Sequence, residues 1–143
     1  MRRFLTYSTA VFVVLAATVT MAQKVTTPDQ LDATMKRVGT AQQATGKAIK
    51  SGDFAEARKQ MAAVKAALGE AETFWVTHKK DDAIKMSKEV IANLTKIEEA
   101  LAAPSPNVEN LFAMMKGAGC GNCHKAYREE LPDKTYRLRP GTV

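Results

Sequence analysis

The chain has 143 residues, a length that suits a single domain. Its 21 Lys and Arg against 15 Asp and Glu give a formal charge of +6, too mild for a nucleic-acid binder, and no interleaving of aromatic and basic residues supports one. No glycine-rich phosphate loop, serine triad or long charge run occurs, and with no evident general base or nucleophile the chain does not read as an enzyme.

Arg2 and Arg3 precede an apolar run over residues 10–17, and Thr20-Met21-Ala22 gives it a small-residue exit. A positive start, a short apolar middle and a small-residue end describe a secretory signal peptide over residues 1–22, with Gln23 as the mature N-terminus. The competing reading is an uncleaved anchor. Thr6, Ser8, Thr9 and Thr18 interrupt the run, which is shorter than the ~20 residues of a spanning helix, so no stable membrane insertion is expected. No cysteine lies near the cleavage point to carry a lipid. Residues 23–143 are then one exported domain, read as periplasmic. Cleavage removes Arg2 and Arg3 and no acid, leaving 19 basic against 15 acidic residues, a formal +4.

The mature chain reads as four helices. Thr27-Pro28-Asp29-Gln30 combines a threonine cap, a proline at the first helical position and a glutamine three residues after the cap. Leu31, Met35, Val38, Gln42, Thr45 and Ile49 follow at spacings of four and three. Ser51-Gly52-Asp53 breaks that helix, and Asp53 with Glu56 predicts a second capping box. Phe54, Ala57, Met61, Val64, Leu68, Ala71 and Trp75 form the clearest helical stripe in the chain. A third helix begins near Asp81-Asp82 and carries Ile84, Ser87, Ile91, Leu94, Glu98 and Leu101, widened by Val90 and Ile97. Ser105 before Pro106 predicts the cap of the fourth, which runs from Val108 through Leu111, Phe112 and Met115 to a stop at Leu131-Pro132. Residues 133–143 are expected to be an irregular basic tail. Short connections favour antiparallel neighbours, so the expected fold is all-α, an up-down-up-down four-helix bundle.

Within the fourth helix stands Cys120-Gly121-Asn122-Cys123-His124. A C-x-x-C-H sequence reads as a covalent haem attachment site. Two thiols one turn apart can each add across a vinyl group of one porphyrin, and the adjacent imidazole is then held beneath the iron as an axial ligand. These are the only two cysteines. A structural zinc site would need four ligands, and only His78 could join the motif as the fourth. A thioredoxin-type pair needs a βαβ context, and nothing here alternates like strands. Thioether attachment also agrees with export. The expected cofactor is one haem c with its iron, and its two propionates would bring the mature charge closer to neutral.

The up-down order has a consequence for the iron. Met35 lies seven residues after Pro28 and His124 seven before Leu131, so each sits about 10 Å from the same bundle end at 1.5 Å per residue. Met35 is on the inward stripe and could ligate opposite His124. Packing alone would also explain a methionine there. Met61 lies near the far end, Met114 and Met115 are about 14 Å upstream of His124 by the same rise, and Met86 falls off the Ile84–Ile91–Leu94 stripe. His78 leaves a bis-histidine site open.

A C-terminal C-x-x-C-H-x-x-Y-R, here Cys120 to Arg128, on the last helix of an exported all-α protein resembles the class II cytochromes c, the cytochrome c prime family. The resemblance spans the mature chain in helix count and motif position. It implies a haem within the bundle and His124 as fifth ligand. Low-spin members use a first-helix methionine as sixth ligand, and Met35-Lys36-Arg37-Val38-Gly39 is similar to that pattern. It further implies that Arg128, four residues after His124 and so on the same helical face, pairs with a haem propionate. Tyr127 and Trp75 are expected to pack at the haem edge, though ordinary packing also explains both. The implied function is single-haem electron transfer with redox partner proteins. The alternative is a five-coordinate, high-spin haem that binds nitric oxide or carbon monoxide. Family members often dimerise through their first two helices.

Overall fold

The computed structural model describes residues 24–143; the signal-peptide reading of residues 1–22 lies outside them. Five helices and a two-stranded ribbon follow in order: α1 (Pro28–Ser51), α2 (Phe54–Thr77), α3 (Asp81–Leu101), α4 (Val108–Lys116), α5 (Cys120–Tyr127), β1 (Arg128–Glu130) and β2 (Tyr136–Leu138). The helices form a four-helix bundle in which α4 and α5 together make the fourth arm. Among the described residues no helix is long and apolar enough to cross a membrane.

The first two helix starts follow the sequence closely. Thr27 accepts from the Gln30 N–H and the Gln30 side chain reaches back to the cap, a complete capping box with Pro28 at the first position. Asp53 caps α2 by accepting from the Glu56 N–H at 3.0 Å. The expected reciprocal bond from Glu56 does not form, because that carboxylate meets Gln60 and Lys59 instead. Gly52, at φ 76°, closes α1 in the left-handed conformation that glycine adopts without a Cβ penalty. For α4 the cap is Asn107, not Ser105; its side chain accepts from the Asn110 N–H at 2.8 Å.

The core runs along the helix stripes. Phe74, Ile49, Met61, Ile97 and Leu111 are fully buried, each contributing roughly 1.5–3 kcal/mol of transfer free energy. On α3 the buried face is Ala83, Ser87, Val90, Leu94, Ile97 and Leu101. The expected stripe was turned slightly too far toward Ile84 and Ile91, which are only partly buried. On α1, Leu31, Val38, Thr45 and Ile49 are buried, while Met35 and Gln42 of the same stripe are half-buried. The reason for that exception is the cavity described below.

Two elements differ from expectation. The fourth helix does not run on to Leu131. It breaks over residues 117–119, where Gly119 takes φ 97°, and it ends at Tyr127. The tail is not wholly irregular: β2 pairs antiparallel with β1 in the register Arg128↔Leu138, Glu129↔Arg137, Glu130↔Tyr136. A turn joins them, with Asp133 accepting from the N–H and hydroxyl of Thr135 and Lys134 at φ 67°.

Candidate functional site

The break before α5 makes the site. Glycine at 117, 119 and 121 lowers helix propensity by about 1 kcal/mol each relative to alanine, so a straight helix is weakly favoured here. Buried Ala118 seats the break against α3, and the Asn93 side chain donates to the Ala118 carbonyl at 3.2 Å. Helix α5 then packs on α3 but buries none of its own residues completely. Its inner side faces a partly open cavity of about 580 Å³ lined by α1, α2, α3, α5 and the ribbon. That volume falls within the roughly 300–1,000 Å³ of cofactor and small-molecule sites.

Cys120, Cys123 and His124 line this cavity from α5, and Met35 lines it from α1. The four residues singled out for attachment and ligation therefore converge on one space. Leu31, Val38, Leu68 and Val90 supply apolar wall. Gly39, one turn beyond Met35, also faces in, and a Cβ added there would meet no atom within 4 Å. The α1 backbone thus lies open to the cavity. This is why Met35 and Gln42 are half-buried: both line the cavity, Met35 while also packing against the core.

Both thiols are free and half-buried. Burial pushes Cys120 up, and burial with the nearby Asp82 carboxylate and Cys120 pushes Cys123 up to about 11. His124 is held below its ordinary value, first by burial and then by the Arg128 guanidinium. It is therefore neutral near pH 7, with a ring-nitrogen lone pair available to a metal. Among the described residues no three His, Cys, Asp or Glu side chains converge as a metal cluster. The cavity lining offers two thiols, one imidazole and thioether sulfur, a set that would suit a prosthetic group that brings most of its metal's ligands with it.

The remaining expected residues are also on the wall. Trp75 is buried, packs edge-to-face on Phe74 at 5.0 Å, and lies 4.8 Å from the Tyr127 ring. It is core and cavity lining at once. Tyr127 lines the cavity, and its hydroxyl lies near enough to Asp82, at the start of α3, to hold that carboxyl below its ordinary value. Arg128 is not on the helical face of His124: α5 has ended and Arg128 is extended, φ −110° and ψ 139°. The ribbon nevertheless brings it to the cavity rim.

The alternative ligands separate. The His78 Nε2 lies 3.1 Å from the Thr26 carbonyl, and its ring packs on Phe74 at 4.4 Å; it is not part of the wall. Met61 is buried in the core, and Met114 and Met115 pack against that core from α4. Met86, set aside because it fell off the α3 stripe, is on the wall with Ser87 and Val90. The turn of the α3 stripe explains the miss, since Val90 and Ser87 set the inward direction and Met86 flanks them. The ribbon was missed as well. Its signal was Pro132-Asp133-Lys134-Thr135, a turn sequence between two short β-compatible segments. No protein-family model matches the chain, and comparison with curated proteins and with solved structures found no match.

Proposed function

We propose that the chain is an exported, periplasmic c-type cytochrome that carries one haem c in this cavity and passes electrons between redox partner proteins. The observation that supports it best is the convergence of two thiols, one neutral imidazole and a thioether on one apolar space from α5 and α1. When bound, the haem supplies a one-electron change at its iron. Cys120 and Cys123 would hold it through thioether bonds and fix its orientation. His124 would be the proximal iron ligand and Met35 the distal one. Leu31, Val38, Leu68 and Val90 keep water from the buried face. Arg128 at the rim suits a propionate, with Trp75 and Tyr127 packed at the edge.

Met35 is favoured over Met86 by the packing. Helix α5 lies on α3, which carries Met86, but it makes no extensive contact with α1, which carries Met35. A ligand opposite His124 is better supplied from the far wall. Connections of two and three residues between α1, α2 and α3 support the antiparallel up-down order that brings Met35 and His124 to one level. A homodimer through α1 and α2 belongs to the same reading.

The test is the visible spectrum of purified protein in both oxidation states, for wild type and Met35→Ala. The wild type should be low-spin, with a weak iron–sulfur band when oxidised. The variant should become high-spin or water-ligated, bind carbon monoxide more readily and show a lower potential, since a thioether favours ferrous iron over harder ligands. Met86→Ala and His78→Ala should leave the spectrum nearly unchanged. A wild type that is already high-spin in both states would overturn Met35 ligation and move the chain to the nitric oxide or carbon monoxide binding reading.

A further inference from the structure

The C-terminal ribbon forms one side of the cavity, and its internal contacts have a pattern. Strand alternation with the observed register puts Arg128, Glu130, Tyr136 and Leu138 on one face. Arg128 pairs with Leu138, so Tyr136, two residues earlier, is its diagonal neighbour, within reach of a long side chain. The contact is made: the Arg128 guanidinium lies over the Tyr136 ring, 4.0 Å from its centroid. That geometry is a cation–π pair. Both residues, with Leu138, line the cavity.

The other cations nearby are engaged differently. Lys36, on the α1 side of the rim, pairs with Asp32 at 2.7 Å. Arg137 pairs across the strands with Glu129 at 2.5 Å. Arg139 caps α5: its guanidinium donates to the Lys125 carbonyl at 3.2 Å and its N–H to the Tyr127 carbonyl at 2.9 Å. These bonds satisfy carbonyls that a helix end leaves orphaned and tie the ribbon to the helix that carries Cys123 and His124. Arg128 makes no carboxylate pair among the described residues. Its charge is held by a ring face and stays available to an anion at the rim.

We propose that the ribbon is a clasp for the anionic edge of the cofactor, in which Tyr136 is a positioning residue that holds the Arg128 guanidinium toward a carboxylate of the ligand. This rests on the haem reading of the cavity, where that carboxylate is a porphyrin propionate. Tyr136 makes no bond to the cofactor in this scheme; its ring face removes the freedom that would let Arg128 swing into solvent. A guanidinium near the haem disfavours the more positive ferric state, so losing it, or letting it swing away, lowers the potential.

The experiment is a double-substitution cycle read as the reduction potential of the holoprotein. Arg128→Gln should lower the potential, and Tyr136→Leu should lower it by a comparable amount. Tyr136→Leu on top of Arg128→Gln should add nothing, and Tyr136→Phe, which keeps the ring face, should restore the wild-type value. Full additivity would overturn the proposal, because it would mean that Tyr136 acts by shielding the haem from water. So would a Tyr136→Leu protein with an unchanged potential beside a lowered Arg128→Gln protein, or an Arg128→Gln protein with no shift. A second measurement needs no truncation: proton resonances of the Arg128 side chain should show cross-relaxation with the Tyr136 ring in reduced wild type, and their absence would overturn the clasp. If wild type carries no covalent haem, the site reading fails instead, and the same cross-relaxation in the haem-free chain still decides the Arg128–Tyr136 contact.

Discussion

Replacing Gly119 by alanine isolates the backbone break on which the site depends. Its φ of 97° and ψ of 0° lie outside the region where an L-residue is comfortable even among left-handed conformations, which centre near +50 to +70°. A Cβ added there would sit 3.6 Å from Val90 Cγ2 and 4.0 Å from the Asn122 side chain, ordinary contact distances. Sterics with neighbours therefore contribute little, and the effect is the backbone's own, about 2 kcal/mol for a non-glycine residue held in this conformation. At roughly 4 °C per kcal/mol for a domain of this size, the melting temperature should fall by about 8 °C. Two comparisons make the result interpretable. Gly52→Ala has the same kind of strain, with φ 76° and open space around its Cβ, but is not on the cavity wall; it should lower the melting temperature and leave the haem spectrum alone. Gly121→Ala sits in α5 with no atom within 4 Å of its Cβ and should stabilise by about 0.5–1 kcal/mol. Gly119→Ala should both destabilise and alter the axial-ligand bands, because the chain can relieve its strain only by moving α5. A Gly119→Ala protein that melts at or above wild type, with an unchanged spectrum, would refute the reasoning.

Cys120→Ala with Cys123→Ala should abolish covalent haem and loosen the fold. Without the cofactor the apolar wall of Leu31, Val38, Leu68 and Val90 would be left facing water; a cooperative melt with full helicity in the haem-free variant would contradict this. Asn93→Ala should lower stability by about 1–2 kcal/mol in denaturant titration, since it strips the donor from the buried Ala118 carbonyl, and an unchanged midpoint would show that the bond does not hold the break. Tyr127 should ionise late: burial and the Asp82 carboxylate push it up to about 12 from an ordinary 10. The folded state keeps this proton longer than the unfolded chain, so its contribution is complete below pH 10 and is lost as pH rises toward 12. The tyrosinate absorbance should accordingly show a late step that is missing in Tyr127→Phe.

How far the sequence was legible depends on how local the determinant is. The starts of α1 and α2 were readable because a capping side chain and its partner are three residues apart. The α2 stripe was readable because from Ala57 to Trp75 every one of its positions is buried, so that spacing and burial coincide. On α3 the apolar positions span two adjacent rows, and choosing Ile84–Ile91 over Val90–Ile97 displaced Met86 from the wall. That choice depends on where α2 and α5 lie, which no local pattern records. The motif residues stood out in the sequence, yet the break that sets them on the cavity wall did not. Three glycines weaken a helix without saying where it stops; the decision falls to Asn93, twenty-five residues away. The ribbon has three-residue strands, too short for alternation to separate from chance. Its hold on α5 runs through Arg139 to Lys125 and Tyr127, again a tertiary contact.

The departures from regular bundle geometry share one location. A helix that stops early, an α1 stripe with two half-buried positions, a glycine whose Cβ would meet nothing, and a terminal ribbon in place of a loose tail all border the same space. Several of these departures work against folding: glycines cost helix propensity, Met35 stays only half-buried, and α5 buries no residue fully. Natural sequences break local rules chiefly where a functional site compensates elsewhere. A group that fills the cavity would add apolar contact to Met35, Val38 and Val90 together, and would give α5 an inner packing partner. It would also meet Arg128 where the ribbon holds its charge. The C-x-x-C-H motif and the cavity around it thus favour the proposed cofactor independently. The motif says what could attach; the open packing of α1, α5 and the ribbon marks the place where an attached group would fit.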